Sequence, residues 1–187
     1  MTKRIVLLAS GRGTLAHSIL EAGKLGLIEA DMVGLISDRD SRVLDVARSF
    51  GVPGHLIELS GDRNTWNTKM LETTQLLKPD LVVSVGFMRI LNQEYIETFR
   101  VINTHPSLLP KYPGAHAVRD TLAAGEIESG ATVHIVDAGL DTGPVLTQVA
   151  VSVEPDDSEQ TLHERIKIAE RSMIVDLLIK FGRTGTL

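Results

Sequence analysis

Apolar residues in this chain form short unbroken runs, each followed by a longer segment with helical spacing. A continuous run such as residues 5–9 is typical of a strand buried on both faces of a sheet. The predicted strands are residues 5–9, 32–37, 55–59, 81–85, 101–104, 131–136 and 145–153. The predicted helices are residues 15–27, 39–50, 63–77 and 92–99, with a last helix that begins at about residue 158. Gly182 is expected to end this last helix. This alternation predicts an α/β fold, a doubly wound and mainly parallel sheet with flanking helices.

Two connections contain too much proline and glycine for regular structure. Residues 105–115 contain three prolines, and residues 137–144 are rich in glycine, aspartate and proline. Proline cannot continue a helix or a central strand, so both segments are predicted loops. Long ordered loops are disproportionately functional, and we therefore expect ligand contacts there.

Length and charge limit the classes of function. The 187 residues predict a single domain, residues 1–187, and a hydrophobic content of 43% suits a packed soluble core. A net charge of −5 and few aromatic residues argue against nucleic-acid binding. The first apolar run ends at Ala9, too short for a signal peptide or a membrane span, so we expect no membrane partner and a cytoplasmic location.

The available side chains also limit the chemistry. The chain has no cysteine, which excludes disulfides and thiolate nucleophiles, and no G-x-S-x-G turn marks a serine nucleophile. Five histidines have no assigned role and no metal-binding spacing, namely His17, His55, His116, His134 and His163. We therefore expect no metal ion and chemistry based on histidine, carboxylate, amide, hydroxyl or backbone groups.

A glycine turn follows the first predicted strand. Residues 11–16 fit G-x-G-x-x-A, a pattern whose backbone N–H groups and helix N-terminus can face a phosphate. Asp38 ends the second predicted strand, 25 residues after Gly13 (38 − 13), where a dinucleotide-binding fold has its ribose-binding acid. An NAD(P)-dependent oxidoreductase is thus one hypothesis, although glycine is also favoured in such a turn for purely structural reasons.

A second candidate site lies at the end of the strand predicted over residues 101–104. Residues two apart in a strand point to one side, so Asn103 and His105 would project together at the carboxyl edge of the sheet. An amide beside an imidazole is suited to holding a developing oxyanion. Aspartate is also an ordinary turn residue at position 141, so Asp141 is a candidate catalytic residue only if the fold brings it next to His105.

These motifs together carry a family resemblance. Residues 103–114, Asn-Thr-His-Pro-Ser-Leu-Leu-Pro-Lys-Tyr-Pro-Gly, with 141–144, Asp-Thr-Gly-Pro, and 86–91, Gly-Phe-Met-Arg-Ile-Leu, closely resemble the folate-dependent phosphoribosylglycinamide formyltransferases of purine synthesis. The resemblance covers essentially the whole chain and implies a single formyltransferase domain with a Rossmann-like fold. Related methionyl-tRNA formyltransferases and formyltetrahydrofolate hydrolases have further domains for which this chain has no length.

The resemblance implies a reaction and three catalytic residues. A formyl group would pass from the co-substrate 10-formyltetrahydrofolate to the amine of 5-phosphoribosylglycinamide in de novo purine (IMP) biosynthesis, without a covalent enzyme adduct. Asn103 and His105 would stabilise the oxyanion of the tetrahedral intermediate, and Asp141 would hold His105 in its charged form. The implied partners are small-molecule substrates, and a homodimer is left open.

The resemblance also implies two sets of binding residues. The ribonucleotide would be bound by Gly13, Thr14, Leu15, Lys167 and Glu170, and the folate by Arg63, Met88, Arg89, Ile90, Leu91, Asn103 and Asp137. Many relatives have asparagine in place of Leu15, so a contact from Leu15 would come from its backbone N–H. Three alternatives remain, namely the oxidoreductase, a formyltetrahydrofolate hydrolase and a non-catalytic nucleotide-binding module.

Overall fold

A computed structural model describes residues 2–187, which form seven strands and six helices. The strands are β1 (Lys3–Leu8), β2 (Ala30–Ser37), β3 (Gly54–Leu56), β4 (Leu81–Ser84), β5 (Val101–His105), β6 (Glu128–Ile135) and β7 (Val145–Ser152). The helices are α1 (Thr14–Lys24), α2 (Arg42–Ser49), α3 (Arg63–Leu77), α4 (Gln93–Thr98), α5 (Ala117–Ala123) and α6 (Glu159–Thr184).

All seven strands belong to one sheet in the order β3-β2-β1-β4-β5-β6-β7. The first five strands in this order are parallel, and β6 and β7 join the β5 edge in antiparallel pairing. The prediction of a doubly wound and mainly parallel α/β sheet is therefore confirmed.

Helices cover both faces of the sheet, which explains why the central strands are apolar throughout. Ile5 and Leu7 of β1 pack in the cluster formed with α1, α2 and α6, and the alternating residues Val6 and Leu8 pack with α3 and α4. These four side chains are completely buried. Burial on both faces thus follows directly from the unbroken apolar run read in the sequence.

The parallel strands bring several loops to one edge of the sheet. β1, β2, β4 and β5 all end at this carboxyl edge, where open α/β sheets bind ligands. The loops after β1 and β4 are joined directly, because the N–H of Ser10 donates to the carbonyl of Gly86 at 3.1 Å. The glycine turn, residues 86–91 and the end of β5 therefore share one side of the molecule.

The end of the last helix differs from the prediction. Gly182 does not stop α6, which continues to Thr184 and is capped by Gly185 in the left-handed conformation, φ 72°. Gly182 is required for close packing instead, since a Cβ there would lie 2.8 Å from the backbone nitrogen of Glu29. Helix α5, whose seven residues follow the proline-rich loop, was not predicted from the sequence.

None of the helices within residues 2–187 is both long and apolar enough to span a lipid bilayer.

Candidate active site

Asn103 and His105 lie on the same face of β5, as the strand period requires. The antiparallel neighbour β6 places His134 opposite Asn103 and Thr132 opposite His105. Residues directly opposite in such a pair share one face of the sheet. Four polar side chains from two strands therefore meet where the proline-rich loop covers the sheet.

Asp141 joins this group from the loop between β6 and β7. Its Oδ2 lies 3.4 Å from Nδ1 of His105, and its Oδ1 lies 3.5 Å from Nε2 of His134. The N–H of Gly114 donates to Oδ2 at 2.8 Å, which connects the two long loops. The predicted trio of Asn103, His105 and Asp141 is thus brought together, with His134 between its members.

The local backbone around Asp141 is sharply bent. Asp141 has φ 55°, and a Cβ on Gly143 would lie 1.8 Å from the carbonyl oxygen of Ile135. Asp137 closes the same turn, because its carboxylate accepts from the Gly139 N–H at 3.1 Å and from the Thr142 hydroxyl at 2.9 Å. The turn residues therefore fix where the Asp141 carboxylate can lie.

The imidazole of His105 is held between two acceptors. Its Nε2 lies 2.8 Å from the carbonyl oxygen of Tyr112, which can only accept, so this nitrogen carries hydrogen. Its Nδ1 faces the Asp141 carboxylate, a second acceptor. Each ring nitrogen therefore faces an oxygen that can accept a hydrogen bond. The ring is 4% exposed beneath the loop.

His134 is a site residue that was not predicted from the sequence. Its Nδ1 donates to the Ile135 carbonyl at 2.9 Å, and its Nε2 lies 3.3 Å from the Asn103 amide nitrogen. The same Nε2 faces Oδ1 of Asp141, so it lies between the carboxylate and the amide and limits where the Asn103 side chain can lie. One amide hydrogen of Asn103 has no partner among the described residues. No spacing motif reveals the contact between His134 and Asn103, because it depends on the register of β5 and β6.

Asp141 is charged at neutral pH. Burial alone would raise its pKa, but the hydrogen bond from His134, the Gly114 N–H and the charge of His105 together lower the pKa of Asp141 below its usual value. A buried carboxylate with this set of partners is a fixed negative charge beside two imidazoles. The cluster can therefore stabilise a cation on His105 while an amide donor stands beside it.

The glycine turn opens α1 with no side-chain cap. Gly13 has φ 75°, and an added Cβ would lie 2.5 Å from Val43, so only glycine fits there. A cavity of about 470 Å³ lies at this helix N-terminus. It is lined by Arg12, Gly13, Thr14, His17, Ser18, Arg42, Val46 and Arg171. Within residues 2–187, no carboxylate lies within 4.0 Å of the three arginines' charged nitrogens.

Lys167 and Glu170 stand one turn apart on α6 in different environments. Lys167 is ion-paired with Glu164 at 3.0 Å and lines a separate cavity of about 330 Å³. Glu170 is 3% exposed and hydrogen-bonded to Thr104 of β5. Burial raises the pKa of Glu170 to about 7, against the charge of Lys167 and the bond from Thr104. Leu15 is half-buried and packs on the core beside Gly13 and Thr14.

The predicted folate residues form a second surface at the same edge. Met88 and Ile90 expose 66% and 73% of their area, while Arg89 and Leu91 are half-buried. Arg63, the first residue of α3, donates to the Ile90 carbonyl and lies over the Trp66 ring at 4.6 Å. Residues 86–91 therefore form an apolar surface held from below by α3.

Asp38 does not have the environment expected of a ribose-binding acid. Its side chain is completely buried, with Oδ2 at 2.6 Å from Arg89 Nε and 3.1 Å from Arg39 Nη2. A carboxylate occupied by two guanidinium groups has little capacity left for sugar hydroxyls. This contact removes the main support for the NAD(P) hypothesis. In the part of the chain that the structure describes, no three His, Cys, Asp or Glu side chains cluster as metal ligands would.

Comparisons with known proteins agree with this geometry. Residues 3–178 match the family model described as formyl transferase. A phosphoribosylglycinamide formyltransferase of Mycobacterium tuberculosis is 47% identical over 98% of this chain and 91% of its own length. The Escherichia coli protein of that name is 36% identical over 98% of this chain and 88% of its own length.

Solved structures match equally well. The crystal structure of glycinamide ribonucleotide transformylase 1 from Symbiobacterium toebii has a TM-score of 0.93 and 35% identity, covering 97% of this chain and 88% of that one. A phosphoribosylglycinamide formyltransferase structure from Coxiella burnetii has a TM-score of 0.90 and 34% identity, with coverage of 98% and 88%. Sequence and structure thus point to the same group of proteins.

Proposed function

The chain belongs to the formyl transferase family and catalyses formyl transfer in purine biosynthesis, and we propose that it transfers the formyl group of 10-formyltetrahydrofolate to the amine of 5-phosphoribosylglycinamide. The observation that carries this proposal is the cluster of Asn103, His105, His134 and Asp141 at the carboxyl edge. It combines an amide donor with a histidine whose two nitrogens both face acceptors. Those are the groups that a tetrahedral oxyanion needs.

Asn103 and His105 have separate roles at the reacting carbon. When the amine attacks the formyl carbon, negative charge develops on the formyl oxygen, and the free amide hydrogen of Asn103 donates to it. The Nε2–H of His105 exchanges the Tyr112 carbonyl for this oxygen. His105 then assists the proton transfer to the leaving nitrogen of the folate, while Asp141 keeps the ring charged. Breakdown of the intermediate gives the formamide and tetrahydrofolate.

The ribonucleotide phosphate binds at the N-terminus of α1. The first-turn N–H groups of Thr14 and Leu15 have no side-chain cap and point toward an incoming anion, and the helix dipole favours negative charge there. Arg12, Arg42 and Arg171 line the same cavity and add positive charge. These arginines compensate for the side-chain donor that Leu15 lacks. Lys167 and Glu170 are assigned to the phosphate and the ribose hydroxyls by the family resemblance alone, since Lys167 lines a separate cavity and Glu170 is buried against β5.

The folate binds against the surface formed by residues 86–91. The exposed side chains of Met88 and Ile90 supply apolar contact area, and Arg63 lies beneath them. Asp137 belongs to the facing turn, and Asn103 marks the end where the formyl group must lie. The folate-binding residues named from the sequence thus remain proposals.

A direct assay with both substrates tests the function. The purified protein should form N-formylglycinamide ribonucleotide and tetrahydrofolate in equal amounts, with no effect of excess chelator. Release of formate without ribonucleotide would instead indicate a formyltetrahydrofolate hydrolase. Inhibition by chelator, or turnover of NAD(H) in place of folate, would overturn the assignment.

A further inference from the structure

Asp38 is a buried carboxylate that the proposed reaction does not use. It ends β2, two strands away from β4, and its side chain is completely enclosed. Arg39 binds both of its oxygens, at 3.2 and 3.1 Å, and Arg89 donates from Nε to Oδ2 at 2.6 Å. Burial alone would raise the pKa of Asp38, but the hydrogen bonds from Arg39, Ser10 and Arg89 outweigh it and lower that pKa. The carboxylate is therefore charged at neutral pH.

A second contact runs from Asp38 to the same loop through Ser10. The Ser10 hydroxyl accepts the backbone N–H of Met88 at 2.8 Å, and its interaction with the Asp38 carboxylate helps to lower the pKa of Asp38. Ser10 is itself 2% exposed, so these bonds are shielded from water. Asp38 thus contacts Arg89 directly, and Ser10 links it to the backbone of the preceding residue, Met88.

The other side of the loop is held differently. Arg63 donates to the Ile90 carbonyl, and the Phe87 ring stacks on the Trp66 ring with centroids 6.4 Å apart. Trp66 is buried and its indole N–H donates to the Ile57 carbonyl at 2.8 Å. Residues 86–91 are therefore fixed on the α3 side by stacking and on the β2 side by the charge of Asp38.

We propose that Asp38 is a positioning residue that holds loop 86–91 in the conformation that binds the pterin-bearing substrate, an inference that rests on the folate role proposed for that loop. Asp38 engages Arg89 only at Nε and so fixes the direction of the guanidinium without covering its terminal nitrogens. Fixing a binding loop before the ligand arrives lowers the entropic cost of binding. Loss of the Asp38 contact should therefore raise the KM for the folate substrate and leave kcat unchanged.

Substitution of Asp38 should leave the fold intact. Arg39 and Arg89 expose 48% and 33% of their side chains, so water can solvate both guanidinium groups when the carboxylate is removed. Asparagine has the shape of aspartate and still accepts from Ser10, so Asp38→Asn removes mainly the charge. Arg39 supplies a matched control, because it pairs with the same carboxylate but lies outside loop 86–91.

The test compares Asp38→Asn with Arg39→Gln in steady-state kinetics and in Trp66 fluorescence. Asp38→Asn should raise KM for 10-formyltetrahydrofolate about tenfold, with kcat and the ribonucleotide KM little changed. Because Trp66 is the only tryptophan, its emission reports on Phe87 directly, and acrylamide should quench it more readily in Asp38→Asn. Arg39→Gln should change neither the KM for 10-formyltetrahydrofolate nor the quenching of Trp66. In an Arg89→Gln background, Asp38→Asn should add less than about twofold.

Three results would overturn the proposal. One is an unchanged folate KM with unchanged quenching in Asp38→Asn, and another is an equal rise in KM for both substrates. The third is a full additional effect of Asp38→Asn in the Arg89→Gln background. If the wild-type protein transfers no formyl group, the proposed function fails by itself. The Trp66 comparison needs no substrate and then still supports or overturns the anchoring role.

Discussion

The two ends of the proposed ribonucleotide site are built in opposite ways. At the reacting end, Asn103, His105 and Asp141 lie beneath a loop, and each of these side chains has at least one partner within the protein. At the phosphate end, Arg12 and Arg42 are exposed around an open cavity, with no carboxylate of residues 2–187 within ion-pair distance. One end is preorganised and shielded, and the other is open and charged.

This difference teaches which physical effect acts at each end. Fixed donors shielded from water stabilise developing charge without reorganisation, so the buried cluster should control the rate. Exposed cations attract a phosphate over a longer range but are screened by salt and water, so the open cavity should control binding. Substitutions at the two ends should therefore separate into effects on kcat and effects on KM.

The largest expected effect comes from removing the Asn103 amide. Asn103→Ala should lower kcat by on the order of 10²-fold to 10³-fold, because an oxyanion donor acts mainly in the transition state. The ribonucleotide KM should stay near its wild-type value, since the phosphate lies at the other end. Steady-state kinetics with both substrates measures the two constants. A raised KM with an unchanged kcat would show that Asn103 only binds.

Glu170, buried on α6 against Thr104 of β5, should give the next largest effect, on stability. Its pKa is raised to about 7 by burial, from an ordinary value of 4.5, so the folded protein binds this proton more tightly than the unfolded chain. The contribution of this bound proton to the free energy of unfolding is fully present below pH 4.5 and is lost as pH rises to about 7. The loss amounts to about 1.4 kcal/mol per pH unit in that interval.

Glu170→Gln removes this proton and keeps a partner for Thr104. Between pH 4 and pH 8 the wild type should therefore lose about 3 kcal/mol of unfolding free energy that the variant does not lose. Urea unfolding at several pH values measures it. Parallel pH profiles for the two proteins would show that Glu170 is not protonated in the folded state.

Replacing Asp141 should produce a smaller change with a characteristic pH dependence. The lowered pKa of Asp141 keeps its carboxylate charged at neutral pH, so Asp141→Asn removes a fixed negative charge beside His105. At neutral pH kcat/KM should fall about tenfold, because positive charge on the His105 ring during proton transfer then lacks its counter-charge. The difference between variant and wild type should shrink at acid pH below the ordinary carboxyl range, where Asp141 of the wild type is itself protonated. Steady-state kinetics at several pH values measures it.

An exposed aspartate at the opposite edge of the sheet controls for loss of charge alone. Asp31→Asn, at the amino end of β2, should leave the pH profile of kcat/KM unchanged. If kcat/KM of Asp141→Asn equals that of the wild type at neutral pH, the two residues are uncoupled. Asp141 would then be a turn residue only.

The sequence predicted the parallel part of the fold well because burial on both faces leaves a local signal. An unbroken apolar run such as residues 5–9, most of which lies in β1, is visible without any knowledge of its neighbours. The end of α6 was misread because Gly182 is required by the distant backbone of Glu29 and not by the helix terminus. Packing between segments remote in sequence leaves no local pattern.

The same distinction applies to the site. Asn103 and His105 are two residues apart on one strand, so their common direction follows from the strand period. His134 and the environment of Asp38 depend on which strands pair and in what register, and neither could be read from spacing. The resemblance to a family supplied Asp141, which its turn position alone did not distinguish from an ordinary loop aspartate.

At the open end, charge reversal should weaken one substrate selectively. Lys167→Glu and Arg42→Glu should each raise the ribonucleotide KM by about fivefold at low salt, with little change for the folate, because charge-assisted contacts to phosphate are lost. The effect should shrink as salt is added, since the Arg42 side chain is exposed. Calorimetry with each ligand at two salt concentrations checks this.

Lys180→Glu is a matched control on the helix that carries Lys167, at an exposed position outside both cavities. It should leave both affinities unchanged. Equal weakening of the two ligands by Lys167→Glu or Arg42→Glu would contradict a phosphate role for that residue. A salt-independent loss would point to local misfolding.

The smallest effect is expected at Leu15, and the neighbouring Gly13 supplies the contrast. Leu15→Asn should change the ribonucleotide KM by less than about twofold, because the proposed contact comes from the backbone N–H at a helix terminus. Gly13→Ala should weaken binding clearly, since the left-handed φ of 75° and a Cβ 2.5 Å from Val43 would distort the turn that presents those N–H groups. Calorimetric titration of the ribonucleotide into both variants compares them. If Leu15→Asn abolished binding while Gly13→Ala did not, the phosphate would be held by side chains and not by the start of α1.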